Sequence, residues 1–407
     1  MRSLLFRLHW LLGLTAGLVL MVVGVTGGVL SLEDEVTALL SPGIIDVQAR
    51  EVPRLTPDAL VARLSEEAPG RRVTLLVMNG APDRAARVRL ADDGPGRGSD
   101  TYVDPYDGRI LGPARGEAFF GVVQRLHRWL VLPGNGDGWG RTITGASALA
   151  LVYLALSGLY LRWPKGRSGW RTWLKPALGR RGRPLYWSLH AVVGTWVLVL
   201  YLVMALTGLW WSYGWYRDGM TLLLTGRPAA AAPPRGAKAG DGKTAGAKAG
   251  GPGRRTPAPL DPAFAAFAAA TGGRYATATL GPAREGETIR IRAVAPDAAH
   301  FQARDEWRFR PDGTLEARDL YADRTLGARL TGSVLALHQG RFFGPAGTVA
   351  FTLAALAMPL FGVTGLLLYL GRRRSRRRHA TAAVQGAAQG AAKGAAKGAA
   401  KPAAEVA

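Results

Sequence analysis

The residues of this chain best suited to chemistry are four of its six histidines, and their spacing repeats. His9 opens the apolar stretch LHWLLGLTAGLVLMVVGVTG, and His190 opens LHAVVGTWVLVLYLVMALTG. In both, a Thr-Gly pair closes the run, with the threonine 17 residues after the histidine. His127 and His338 occupy a second pair of matched contexts, RLHRWLVLPGNGDGWG and ALHQGRFFGPAG, each just ahead of a further apolar run. One histidine at the edge of an apolar helix can simply present its ring to lipid headgroups. Four, placed two at each edge by a doubled frame, call for another reading, because ionisable side chains at membrane depth are costly and mark functional sites. Two facing imidazoles supply both axial ligands of a haem iron. Copper and zinc also accept imidazole, but two histidines leave either ion short of ligands, and no acidic cluster accompanies them.

Arginines stand beside these histidines: Arg7 before His9, Arg125 and Arg128 around His127, and Arg341 after His338. Haem propionates require cationic partners. Interface anchoring and topology explain the same arginines equally well. The remaining histidines, His300 in a polar loop and His379 in a basic tail, read as ordinary surface residues.

Four apolar runs long enough to cross a bilayer must position these side chains, since a crossing takes about 20 helical residues. The spans are expected at 1–32, 142–162, 186–212 and 347–370. The first is read as a retained anchor rather than a signal peptide: its apolar run is too long, and no small-x-small site precedes Glu33-Asp34-Glu35. The 407 residues carry a net charge of +23, concentrated in RWPKGRSGWRTWLKPALGRRGR and GRRRSRRRH. Both basic runs abut apolar spans, so they set topology and do not indicate nucleic-acid binding. The positive-inside rule puts the loop 163–185, the tail 371–407 and both termini in the cytoplasm. Tryptophans and tyrosines at the span edges, among them Trp10, Trp163, Trp187 and Trp211, fit the interfacial belt of a lipid bilayer. The chain has no cysteine, which excludes disulfides, cysteine-ligated clusters and c-type haem attachment.

The two long loops, 33–141 and 213–346, are then exported, and each carries the same small α+β pattern. Thr56-Pro57 and Asp261-Pro262 open a helix, with proline at a first helical position. RRVTLLVM, RAARVRL, DTYVDP and RILG follow the first; RYATATL, ETIRIRAV, EWRFRP and TLEAR follow the second. About three strands and an acidic-glycine hairpin turn are expected in each. The fold class is therefore an α-helical membrane protein of four spans with two exported α+β domains, built by internal duplication. Two segments fall outside this plan. Residues 226–255 read as a flexible Gly/Ala/Lys linker, and 371–407 read as a basic, disordered, low-complexity tail.

The ordered combination LHWLLGL, TYVDPYDGRILG, RLHRWL, SGLYLRWP, LHQGRFFG and TGLLLYLGRR resembles the PepSY-associated transmembrane family over nearly the whole chain apart from linker and tail. The resemblance implies PepSY-type exported domains. It also implies b-type haem, with His9, His190, His127 and His338 as axial ligand candidates, and the two levels of histidines suggest two haems. Family members that are inner-membrane ferric-siderophore reductases imply electron transfer from a cytoplasmic reductant or quinol to an exported ferric siderophore or ferric chelate. No G-x-G-x-x-G fingerprint follows a strand, so a nicotinamide or flavin donor would be bound elsewhere. PepSY domains also serve as regulators of secreted peptidases, so the resemblance equally implies a non-enzymatic membrane anchor as a rival, or a quinol-linked cytochrome b partner.

Overall fold

The computed structural model describes residues 1–92, 98–163, 169–228 and 257–399. The Gly/Ala/Lys linker lies almost wholly outside the described residues, as do 400–407 of the tail.

The first span is α1 (Arg2–Leu30), followed by the short acidic helix α2 (Glu33–Leu40). Glu33, Asp34 and Glu35 occupy the first turn of α2, where the helix dipole favours negative charge. α3 (Pro57–Glu67) starts as its sequence dictates: the Thr56 side chain accepts the Ala59 N–H, and Pro57 fills a first-turn position. The strands β1 (Arg71–Asn79), β2 (Ala86–Asp92), β3 (Ser99–Val103) and β4 (Ile110–Gly112) follow. The helix α4 (Glu117–Trp129), strongly amphipathic, returns the chain to the bundle, and α5 (Trp139–Arg162) forms the second span. A short helix α6 (Trp170–Leu174) lies in the basic loop. The third span is α7 (Arg183–Ser212), continued by α8 (Gly214–Thr225).

The second half repeats the order. It comprises α9 (Asp261–Thr271), β5 (Thr277–Leu280), β6 (Ile289–Val294), β7 (Arg304–Phe309) and β8 (Leu315–Asp319). Next come α10 (Leu326–Gly332), α11 (Val334–His338), α12 (Gly344–Leu356) and α13 (Met358–Ala399). Among the described residues, four helical segments are long and apolar enough to cross a membrane. Each half has four strands where about three were expected, because the short runs RILG and TLEAR pair as edge strands.

The two α+β patterns do not form separate domains. They join into one antiparallel sheet in the order β4-β3-β2-β1-β5-β6-β7-β8. β1 and β5 would each be an exposed edge in isolation, and they satisfy each other across the junction from Leu76↔Leu280 to Asn79↔Thr277. One buried core runs through both halves, with Leu60, Leu76 and Val88 from the first and Phe267, Ile291 and Phe309 from the second. The helices α3 and α9 also cap each other. The Asp58 carboxylate accepts the Leu260 and Asp261 N–H groups, and Asp261 accepts the Asp58 N–H at 2.9 Å.

The spans pack as a bundle in which α1 meets α5, α12 and α13, and α7 meets α5 and α13. Small residues set the closest approach: a Cβ at Gly24 would lie 2.8 Å from the Ala355 carbonyl. The fourth span is interrupted between α12 and α13, where Pro359 lacks the N–H that would continue the ladder. The Tyr201 hydroxyl, from α7, donates to the Ala354 carbonyl at 2.8 Å at this break. Beyond the span, the chain departs from the expected disordered tail: α13 continues through Ala399. The tail extends a helix already nucleated by the span, and its alanines have the highest helix propensity, so continuation costs little.

Candidate functional site

Each of the four edge histidines is held by the same local device, a Ser/Thr-Gly dipeptide on a neighbouring span. His9, on α1, places Nδ1 2.8 Å from the Ser157 hydroxyl on α5, and its Cε1 lies over Gly158. His190, on α7, places Nδ1 2.9 Å from Thr364 on α13, with Cε1 toward Gly365. His127, on α4, reaches Thr26 at 3.2 Å and the Val23 carbonyl at 3.0 Å, over Gly27. His338, at the end of α11, reaches Thr207 at 2.8 Å, over Gly208. A Cβ at Gly27 would stand 3.0 Å from the His127 ring, so the glycine makes the room that the imidazole fills.

This network assigns the ring protons. The Thr26, Thr207 and Thr364 hydroxyls donate to carbonyls four residues back, those of Val22, Val203 and Leu360. Their oxygens are then acceptors, and each ring must donate from Nδ1. For His127 the Val23 carbonyl requires the same, since a carbonyl can only accept. The neutral tautomer with hydrogen on Nδ1 leaves the Nε2 lone pair available to a metal, and an outer hydrogen bond on the other nitrogen is the usual support of a metal-bound imidazole.

The rings come together in two pairs. His9 and His190 stand with centroids 6.4 Å apart and planes at 67°. His127 and His338 stand 6.2 Å apart at 69°. Metal–imidazole bonds of about 2 Å, with ring centroids about 1.2 Å behind each nitrogen, put two trans axial imidazoles roughly 6 Å apart. Both pairs have about that centroid separation. All four rings are partly exposed. Among the described residues, no group of three or more His, Cys, Asp or Glu side chains converges as a metal site.

The pairs lie at opposite ends of the bundle. On α1, His9 and Thr26 are 17 residues apart, about 25 Å at the helical rise. Between them lies a dry layer of Leu20, Val197, Tyr201, Ala354 and Met358. Phe361 bridges part of that gap, with its ring centroid 5.3 Å from His190 and 5.6 Å from Tyr201. At the end nearer the sheet, Trp211 packs edge-on to His338 at 5.5 Å.

The flanking arginines take different positions. Arg7, Arg125 and Arg128 are exposed, and Arg128 lies over the Trp129 ring. Arg341 is engaged elsewhere: it pairs with Asp34 at 2.9 Å and Glu35 at 3.6 Å, tying the start of the fourth span to α2. His300, expected at the surface, is instead buried. Its Nδ1 accepts the Gln302 N–H, its Nε2 meets the Tyr321 hydroxyl at 3.2 Å, and its ring lies against Phe342. Burial lowers its pKa. The loop that looked polar in sequence is pinned against the segment leading to the fourth span, since Gln302 also accepts the Ala336 N–H of α11.

Ser157, Thr26, Thr207 and Thr364 are the residues that the histidine spacing alone did not assign. Their signal was a Ser/Thr-Gly pair in every span, two of which closed the repeated frame. A search of curated proteins returns no match. The matched frame of histidines, the four spans and the sheet-forming loops agree with a sequence profile that covers residues 6–372, and the chain belongs to the family of the PepSY-associated TM region.

Proposed function

We propose that this membrane protein binds two b-type haems, one between His9 and His190 and one between His127 and His338, and carries electrons across the bacterial inner membrane to a ferric siderophore or other ferric chelate. The observation that carries this reading is the fourfold repeat: every edge histidine has its Nδ1 hydrogen-bonded to a hydroxyl and pairs with a second imidazole at a centroid separation of 6.4 or 6.2 Å. Bound there, haem with both axial sites taken by histidine supplies one-electron transfer rather than oxygen chemistry. The Ser/Thr hydroxyls fix each ring's tautomer and direction. The glycines make room for the rings. The apolar middle layer keeps water and ions from following the electron through a hydrocarbon core of about 30 Å.

The basic loop and tail, by the positive-inside rule, support an orientation with the termini and the His9/His190 level on the cytoplasmic side and the sheet with the His127/His338 level outside. The matching order of elements in the two halves supports an origin by duplication. The donor is a cytoplasmic reductant or quinol bound elsewhere. In proteoliposomes with reductant confined to the side of the basic tail, reduced haem should be reoxidised faster when a ferric siderophore is added on the sheet side. The acceleration should vanish in His127→Ala and His338→Ala. Reoxidation by a quinone analogue with indifference to every ferric chelate would replace this reading with the quinone-linked one.

A further inference from the structure

The sheet face turned away from α3 and α9 carries an excess of arginine that the fold itself does not require. The strand register defines one row across it: Tyr102, Arg87, Val77, Thr279, Arg292, Glu306 and Asp319. Arg290 and Arg308 lie directly opposite each other on β6 and β7, and Arg304 begins β7. The alternate residues Ile289, Ile291, Trp307 and Phe309 are buried in the core beneath the helices, which fixes the direction of the arginines. Glu306 is the shared counter-ion, reached by Arg290, by Arg308 at 2.8 Å and by Arg292 at 3.7 Å. Those three guanidinium side chains remain 49%, 55% and 45% exposed. Among the described residues, no carboxylate lies within ion-pair distance of Arg87 or Arg304. Arg304 has its pKa lowered by burial and by the charges of Arg292 and Arg87. Like charges placed directly across a sheet are destabilising, so this arrangement sits against the fold's own preference.

The patch also adjoins the sheet end of the bundle. Arg304 donates from Nε to the Phe301 carbonyl, the Phe301 ring carries the Arg341 guanidinium at 5.9 Å, and neighbouring Gln302 holds α11, the helix of His338. At the other end of the row, Tyr102 is raised first by burial, and the Asp34 carboxylate of α2 adds to it.

We infer that this arginine face is a binding site for a small polyanionic ferric chelate, one whose carboxylate or catecholate arms stay negatively charged around the metal. Planar guanidinium forks bind such oxygens bidentately, and five arginines against Glu306 and Asp319, the latter already paired with Arg324, leave a net positive face to meet them. The identity of the ligand as a ferric chelate rests on the function proposed above; the site and its preference for anions do not.

Equilibrium binding to the full chain in zwitterionic nanodiscs separates these two points, because it needs no electron transfer. The probes are ferric citrate and a neutral ferric trihydroxamate. Ferric citrate should bind more tightly, and rising salt should weaken it while leaving the neutral chelate unaffected. Arg292→Gln/Arg304→Gln should reduce ferric citrate affinity at least tenfold, the loss of one or two charge-assisted hydrogen bonds. Arg84→Gln, whose partner Asp46 lies off the patch, should change nothing. Equal binding of both chelates to the unaltered protein would overturn the inference without any variant. So would an arginine double variant that keeps ferric citrate but, in parallel nanodiscs containing phosphatidylglycerol, loses that bound lipid. Failure of reoxidation with intact citrate binding would count against the proposed function alone.

Discussion

Thr207→Val keeps the shape of the side chain and deletes the oxygen that receives the His338 Nδ1–H. Loss of such an outer partner costs about 10- to 100-fold in metal affinity. Haem titration into the variant should therefore show weakened binding at the sheet-end level, with the other level unchanged, while Thr207→Ser retains both. An unaltered titration would show that the hydroxyl does not orient the ring. At this scale the histidines were legible as repeated text, because their frame recurs within each half. Their hydroxyl partners were not, since His9 and Ser157 are 148 residues apart and meet only once the spans pack. Arg341 shows the opposite failure. Its position after His338 suggested a propionate partner, and its ion pairs with two carboxylates on α2 were not legible in the sequence. His300 was misjudged because polar neighbours in sequence do not reveal a loop pressed under Phe342.

Among the elements, the junction of β6 and β7 carries a pH dependence. Burial alone would raise the Glu306 carboxyl, but hydrogen bonds from Arg290 and Arg308 outweigh it and hold the pKa below the ordinary glutamate value of 4.5. A depressed carboxylate contributes stability that is fully present above its unfolded value and is lost as pH falls through the folded one. Hydrogen exchange at the β6 and β7 amides should accelerate as pH drops below about 4.5, and Glu306→Gln should remove its share of that slope. A slope identical in the variant would mean that the glutamate is not coupled to the strands. The strands themselves were readable from alternation, as in Ile289–Val294, where arginines and apolar residues take turns. Their union into one sheet was not. The β1–β5 pairing joins segments some 200 residues apart, and nothing local in Leu76–Asn79 names Thr277–Leu280 as its partner.

For the whole molecule, the four spans followed from length and hydropathy, and the structure keeps them, the first three with ends shifted by a few residues and the fourth running longer, over Arg341–His379. The tail did not follow, since low complexity masked an alanine-rich helix continuous with the fourth span. What the assembled bundle adds is two facing imidazole pairs about 25 Å apart along the axis, separated by a dry layer. A reduced-minus-oxidised absorption spectrum, with haem quantified per chain, tests this arrangement most directly when taken on the purified protein and on single histidine variants. The expected result is two low-spin haems. His9→Ala and His190→Ala should lose one and the same component, His127→Ala and His338→Ala the other, and His379→Ala neither. A colourless protein made with ample haem, or variants from different pairs that remove the same component, would contradict it.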